Sequence, residues 1–135
     1  MKDTAPFVLL AEDDTDDQEL IVSAFLKADP NLKMAIVNDG KEALDYLLNA
    51  SEGKLPCLIL LDYNMPELNG AQVVQKLSDA RFKNIPKVIL STSNNPVYAE
   101  DSLKKGASAY RVKPDDFQSL INIAKEMIAL CRNAA

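Results

Sequence analysis

Asp62 closes the aliphatic run Cys57-Leu58-Ile59-Leu60-Leu61 and opens the turn Tyr63-Asn64-Met65-Pro66-Glu67-Leu68-Asn69-Gly70. A short, uninterrupted apolar run marks a strand buried on both faces, so the acid that ends it stands at the strand's C-terminal edge. Three further runs end in reactive groups. Phe7-Val8-Leu9-Leu10-Ala11 leads into Glu12-Asp13-Asp14, Lys87-Val88-Ile89-Leu90 into Ser91-Thr92-Ser93, and Ala109-Tyr110-Arg111-Val112 into Lys113-Pro114. Carboxylates, hydroxyls and one ammonium are thereby aimed at one edge of a sheet. In open parallel α/β sheets that edge binds ligands.

If Glu12, Asp13 and Asp62 converge, each pair repels by about 4 kcal/mol at ~4 Å and an effective dielectric of ~20. Such a cluster takes up protons or holds a cation. Its all-oxygen donors and open pocket favour Mg²⁺, with Mn²⁺ as the alternative. Lys113 is a point charge able to pair with a carboxylate or with a phosphoryl oxygen. Ser91 adds a hydroxyl on the same rim. Asp14, Asp16 and Asp17 read instead as solvated acids of a helix start.

The rest of the composition narrows the field. The 135 residues suit one domain, 1–135, and 47% hydrophobic with 26% charged residues is ordinary for a globular protein. Fifteen basic residues against 20 acidic ones leave a net charge of -5, which argues against nucleic acid or an anionic membrane as partner. No apolar stretch approaches the ~20 residues of a membrane span. The start, Met1-Lys2-Asp3-Thr4-Ala5-Pro6, carries no signal-peptide core, so a cytoplasmic location is expected. Cys57 and Cys131 lack a C-x-x-C spacing and read as two separate buried thiols in a reducing compartment. The chain has no histidine, so any phosphohistidine in its chemistry belongs to another protein.

The elements that must position these groups alternate strand and helix, which implies a parallel sheet with helices on both faces. Strands are expected at 7–11, 33–37, 57–61, 87–90 and 109–112. A first helix begins near Asp14-Thr15 and stops at Pro30, with Ile21, Ala24, Phe25 and Ala28 facing inward. Asp39-Gly40 turns into a second helix with the stripe Ala43, Leu44, Leu47 and Leu48. A third helix spans about 70–80 and packs Val73, Val74 and Leu77. The fourth, about 96–105, ends at Gly106 and has only scattered apolar positions, which predicts a loosely held helix. The fifth starts at Asp115 or Asp116 and carries Phe117, Leu120, Ile121, Ala124, Met127 or Ile128, and Cys131.

Taken in order, Glu12-Asp13, Asp62 with Met65-Pro66 and Gly70, Ser91-Thr92, Gly106-Ala107, Tyr110 and Lys113-Pro114 resemble the receiver domain of bacterial response regulators across essentially the whole chain. The resemblance implies a flavodoxin-like (βα)5 fold, a doubly wound five-stranded parallel sheet of order 2-1-3-4-5. It implies that Asp62 is the phosphoacceptor for a histidine kinase or a phosphotransfer protein. Asp13, Asp62 and the backbone carbonyl of Asn64 would ligate Mg²⁺, with Glu12 reaching it through water. Lys113 and Ser91 would hold the phosphoryl group, Tyr110 would change rotamer with Ser91, and Lys113-Pro114 would be a cis peptide. Helix four, strand five and helix five would then form a switched surface for a downstream protein.

Position 12 is Glu where many receivers have Asp, and Ser91 stands where threonine is commoner. The end of helix two and the Ser91-Thr92-Ser93 segment resemble the small regulators paired with bacterial phytochrome kinases. Two other readings share parts of this set. A phosphohydrolase of the haloacid dehalogenase kind also uses Asp, Lys and Mg²⁺, but Asp62-Tyr63-Asn64 lacks its second acid. A pseudo-receiver would bind partners without phosphorylation, and the intact acid–lysine set argues against it.

Overall fold

The structure, a computed structural model, describes residues 6–133. The leader-free start expected at 1–5 lies outside them. Five strands, β1 (Phe7–Ala11), β2 (Lys33–Val37), β3 (Leu58–Leu61), β4 (Lys87–Ser91) and β5 (Ala109–Val112), alternate with five helices. These are α1 (Thr15–Ala28), α2 (Gly40–Asn49), α3 (Gly70–Gln75), α4 (Pro96–Lys104) and α5 (Phe117–Asn133). The strands pair in parallel in the order β2-β1-β3-β4-β5, as the resemblance implied. No helix of the described residues is long and apolar enough to cross a membrane.

The period of two along each strand sorts the core into two layers. Val8, Leu10, Leu58, Leu60, Val88 and Leu90 face α1 and α5, meeting Ile21, Phe25, Leu120, Ala124 and Met127. Leu9, Ala11, Ile59, Leu61 and Ile89 face the other way, onto Leu44, Leu47, Val73, Val74, Leu77 and Phe82. Each fully buried aliphatic side chain contributes about 1.5–3 kcal/mol relative to exposure. Short polar side chains start the helices as their types predict. Asp14 accepts from the Asp17 amide at 2.9 Å, Asp39 from Glu42 at 2.8 Å, Asn95 from Val97 at 2.9 Å, and Asp116 from Ser119 at 2.8 Å. Asn69 and Gln72 form a reciprocal capping box, both bonds at 2.8 Å.

Four expectations are corrected. Helix α3 ends at Gln75, not near residue 80, because Asp79 caps a separate 3-10 turn over Ala80–Phe82 through the Arg81 amide; Leu77 is nevertheless buried. Leu48 and Phe117, assigned to inward stripes, are exposed. Leu47 already takes the inward position at the end of α2, and Phe117 lies in the first turn of α5 beyond the edge strand. Cys57 and Cys131 are joined as a disulfide with Cα atoms 4.9 Å apart. Separated by 74 residues, they meet where the entry to β3 passes under the last turns of α5, a proximity no local spacing encodes. Finally, no peptide bond among the described residues is cis, so Lys113-Pro114 is trans, the form an X–Pro bond favours by about 0.5–1 kcal/mol.

Gly70 begins α3 directly beneath the end of β3. A Cβ there would sit 2.5 Å from the Asp62 carbonyl oxygen and 2.9 Å from Ile89 Cδ1. The first neighbour is backbone and cannot step aside. Gly70→Ala is therefore expected to cost about 1–3 kcal/mol of stability, read as a lower urea midpoint; an unchanged midpoint would show that the loop relaxes freely.

Candidate functional site

Strand register assembles the site. Ala11 of β1 lies opposite Leu61 of β3, and the Asp62 amide donates to the Ala11 carbonyl at 3.1 Å. Glu12, Asp13 and Asp62 consequently emerge side by side. One carboxylate oxygen from each lies within 4.8 Å of the others. At that separation two unit charges repel by roughly 3.5 kcal/mol at an effective dielectric of ~20. Ser91 of β4 pairs with Val112 of β5, and the Lys113 amide donates to the Ser91 carbonyl at 2.7 Å. From there the Lys113 side chain reaches back across the rim.

Lys113 Nζ donates to Glu12 Oε1 at 2.7 Å and to Asp17 Oδ2 at 3.0 Å. Asp62 receives no hydrogen bond from it and feels it through space. Glu12 is only 1% exposed and is held from several sides. Its Oε2 accepts from the Asp14 amide at 3.2 Å, and its carbonyl accepts from Gln18 Nε2 at 2.6 Å. Its amide donates to the Val37 carbonyl at 3.2 Å. Asp13 is exposed and Asp62 half-buried.

Burial pushes the Glu12 carboxyl up to about 7, against the lowering bond from Lys113 and with the nearby Asp62 charge adding to the rise. Burial likewise raises Asp62, opposed by Lys113 and Glu12 and reinforced by Asp13. Burial alone would lower the Lys113 ammonium, but Glu12, Asp62 and Asp17 outweigh it and the net shift is upward. Two carboxyls that resist ionisation beside one firmly charged ammonium are a site short of positive charge. An all-oxygen donor set of this kind fits Mg²⁺ or Mn²⁺.

The remaining predicted residues take distinct places. Ser91 is fully buried at the end of β4, and its Oγ accepts from the Ser93 amide at 3.2 Å. Tyr110 on β5 donates its hydroxyl to the Ser93 carbonyl at 2.7 Å. Both therefore brace the loop after β4. Asn64 is exposed in the loop that follows Asp62, and its backbone amide counters part of the rise that burial gives the Asp62 carboxyl. Asp17, taken from sequence as a solvated helix acid, is instead the second anchor of Lys113.

The family model for the response regulator receiver domain matches residues 8–125. The chain belongs to the response regulator receiver family. It is 32% identical over 126 residues to a probable methanogenesis regulatory protein, FilR2, of Methanothrix harundinacea, covering 90% of this chain and 81% of that one. The crystal structure of the phosphorylated cyanobacterial phytochrome response regulator RcpA superposes with a TM-score of 0.83 at 32% identity, covering 96% of each chain. The Mn²⁺-bound form of response regulator Rcp1 gives a TM-score of 0.76 at 27% identity, over 92% of this chain and 93% of that one. Receivers are signalling proteins of two-component systems, not metabolic enzymes. They bind Mg²⁺ or Mn²⁺ at an acidic pocket, take phosphoryl groups from histidine kinases and act on downstream targets.

The Glu12–Lys113 pair generates a prediction of its own. Lys113→Met leaves Glu12 buried without its cation, a loss of 3–5 kcal/mol were the acid forced to stay charged. Glu12 can protonate near neutral pH instead, so we expect about 1–3 kcal/mol, measured by denaturant unfolding at pH 6 and pH 8. The loss should be larger at pH 8, where protonation is harder; equal losses at both would count against the ion pair.

Proposed function

We propose that residues 1–135 form one receiver whose Asp62 accepts a phosphoryl group from the phosphohistidine of a sensor histidine kinase or phosphotransfer protein. The observation that carries this reading is the gathering of Glu12, Asp13 and Asp62 within 4.8 Å, faced by the Lys113 ammonium. An Asp62 carboxylate oxygen forms the new bond to phosphorus while the bond from phosphorus to the donor imidazole nitrogen breaks. Hydrolysis reverses the modification when water attacks phosphorus, freeing Asp62 and inorganic phosphate.

Catalysis here is mainly positioning and charge neutralisation. Asp13, Asp62 and the Asn64 backbone carbonyl would hold Mg²⁺, with Glu12 acting through water, and the ion supplies positive charge against the phosphoryl oxygens; Mn²⁺ suits the same donors. Lys113 gives up part of its pairing with Glu12 and Asp17 to bind a phosphoryl oxygen. Ser91 turns its hydroxyl from the Ser93 amide toward the phosphoryl group, and Tyr110 changes rotamer into the space released, leaving the Ser93 carbonyl.

Those movements bias α4, β5 and α5, whose exposed apolar residues Val97, Leu103, Val112 and Phe117 support a role as the surface offered to a downstream protein. Similarity to RcpA supports a phytochrome-type kinase as the donor. Such a donor places the chain in the cytoplasm, a reading that rests on the donor and not on the cysteines.

Incubation with Mg²⁺ and acetyl phosphate should add one phosphoryl mass to the chain, and Asp62→Asn should abolish the gain. Sustained multiple turnover would indicate a phosphohydrolase, and no gain a receiver that signals unphosphorylated. Asp13→Asn should weaken Mg²⁺ binding by roughly tenfold or more by loss of a first-contact carboxylate; an unchanged titration would remove Asp13 from the ligand set.

A further inference from the structure

Helix α4 has one buried residue, Ser102, and its hydroxyl donates back to the Tyr98 carbonyl of the same helix at 2.8 Å. Besides its packing beside α3 and β5, α4 is fastened to the body of the protein by the residue that follows the proposed phosphoacceptor. Tyr63, 7% exposed, stacks its ring on Tyr98 with centroids 4.3 Å apart and planes at 14°. Its hydroxyl donates to Asp101 Oδ2 at 2.9 Å. Tyr98 and Asp101 are three residues apart and share one face of α4, so a single side chain grips the helix by ring and hydroxyl together. The same ring meets Tyr110 edge-on at 6.4 Å. Its backbone is tied as well, the Gly70 amide donating to the Tyr63 carbonyl at 2.9 Å.

Both partners stay in the form the bond needs. Burial first, then Asp101, pushes the Tyr63 phenol up to about 12, so it remains a donor. Lys105, 2.9 Å from Asp101, and then Tyr63 hold the Asp101 carboxyl below its ordinary value, so it remains an acceptor.

We propose that Tyr63 is a positioning residue for phosphorylation: its hydrogen bond to Asp101 and its stack on Tyr98 clamp α4 in the unphosphorylated arrangement and set how readily Asp62 is modified. The inference rests on the phosphoacceptor reading of Asp62. Tyr63 follows Asp62 in the chain, so a displacement of the acceptor loop is handed directly to α4. A bond present in one arrangement and broken in the other shifts the equilibrium by its net strength, which here corresponds to roughly three- to tenfold. By linkage, losing the bond strengthens binding of a phosphoryl mimic by the same factor.

The test is an NMR titration of the full chain with beryllofluoride in saturating Mg²⁺. Y63F, which keeps the ring and loses the hydroxyl, should bind about three- to tenfold more tightly. D101A should do the same, and the double variant should shift no further than either alone. D101N keeps an acceptor oxygen and should restore the wild-type value, while K105A removes only the ion pair and should leave it unchanged. Y63F at the wild-type affinity, or Y63F and D101A adding independently, overturns the clamp while the acceptor reading stands. A wild-type chain blind to beryllofluoride overturns the acceptor reading and the coupling with it. Amide exchange of α4 in the unmodified protein reads the grip by itself: faster exchange in Y63F supports it, and unchanged exchange overturns it.

Discussion

Crowded negative charge held against one buried ammonium is the interaction on which the site depends. Three carboxylate oxygens within 4.8 Å are unfavourable without compensation, and Lys113, at the end of edge strand β5, supplies it through Glu12 and Asp17. The arrangement is under-neutralised. Burial raises both Glu12 and Asp62 toward protonation, and either a proton or a cation relieves them. A protein that needed this corner only for stability would do better with apolar residues of the same volume. A chemical role, more than packing, accounts for charges gathered at this edge of the sheet.

The fold serves that corner by stacking two independent apolar layers on one sheet. Strands β1, β3 and β4 are buried on both faces, so their register is set by packing and their ends arrive at a common rim. A one-residue slip of β3 would turn Leu58 and Leu60 to the wrong layer and carry Asp62 off the rim. Helix α4, nearly free of buried side chains, is tied through Tyr63 and through the β4–α4 loop, where Ser91 and Tyr110 both bond to Ser93.

Much of this was legible in the residues. Continuous aliphatic runs marked β1, β3 and β4 to within a residue, because burial on both faces leaves so little sequence freedom, and the acids, hydroxyl and lysine at strand ends are the groups that the structure gathers at one rim. The weak stripe of α4 also proved informative. Tertiary partnerships were not legible. Asp17 looked like any first-turn acid until Lys113 reached it, and Tyr63 meets Asp101 across 38 residues with no local pattern to announce it. Cys57 and Cys131 failed for the same reason: pairing depends on where α5 ends over the sheet. The short α3 reflects a contest between helix propagation and the Asp79 side chain, which favours its own turn.

At the opposite edge of the sheet, where the strands begin, another kind of residue collects. Lys87 buries its ammonium on the Phe82 and Ile85 carbonyls, Arg81 closes the end of α2 on the Leu48 and Ala50 carbonyls, and the cystine ties β3 to α5. These groups act as masonry, and their chemistry is spent on holding the floor still. The base and the acidic rim are thus built from separate sets of residues, so substitutions at the base act on resistance to unfolding and leave the rim's charges in place.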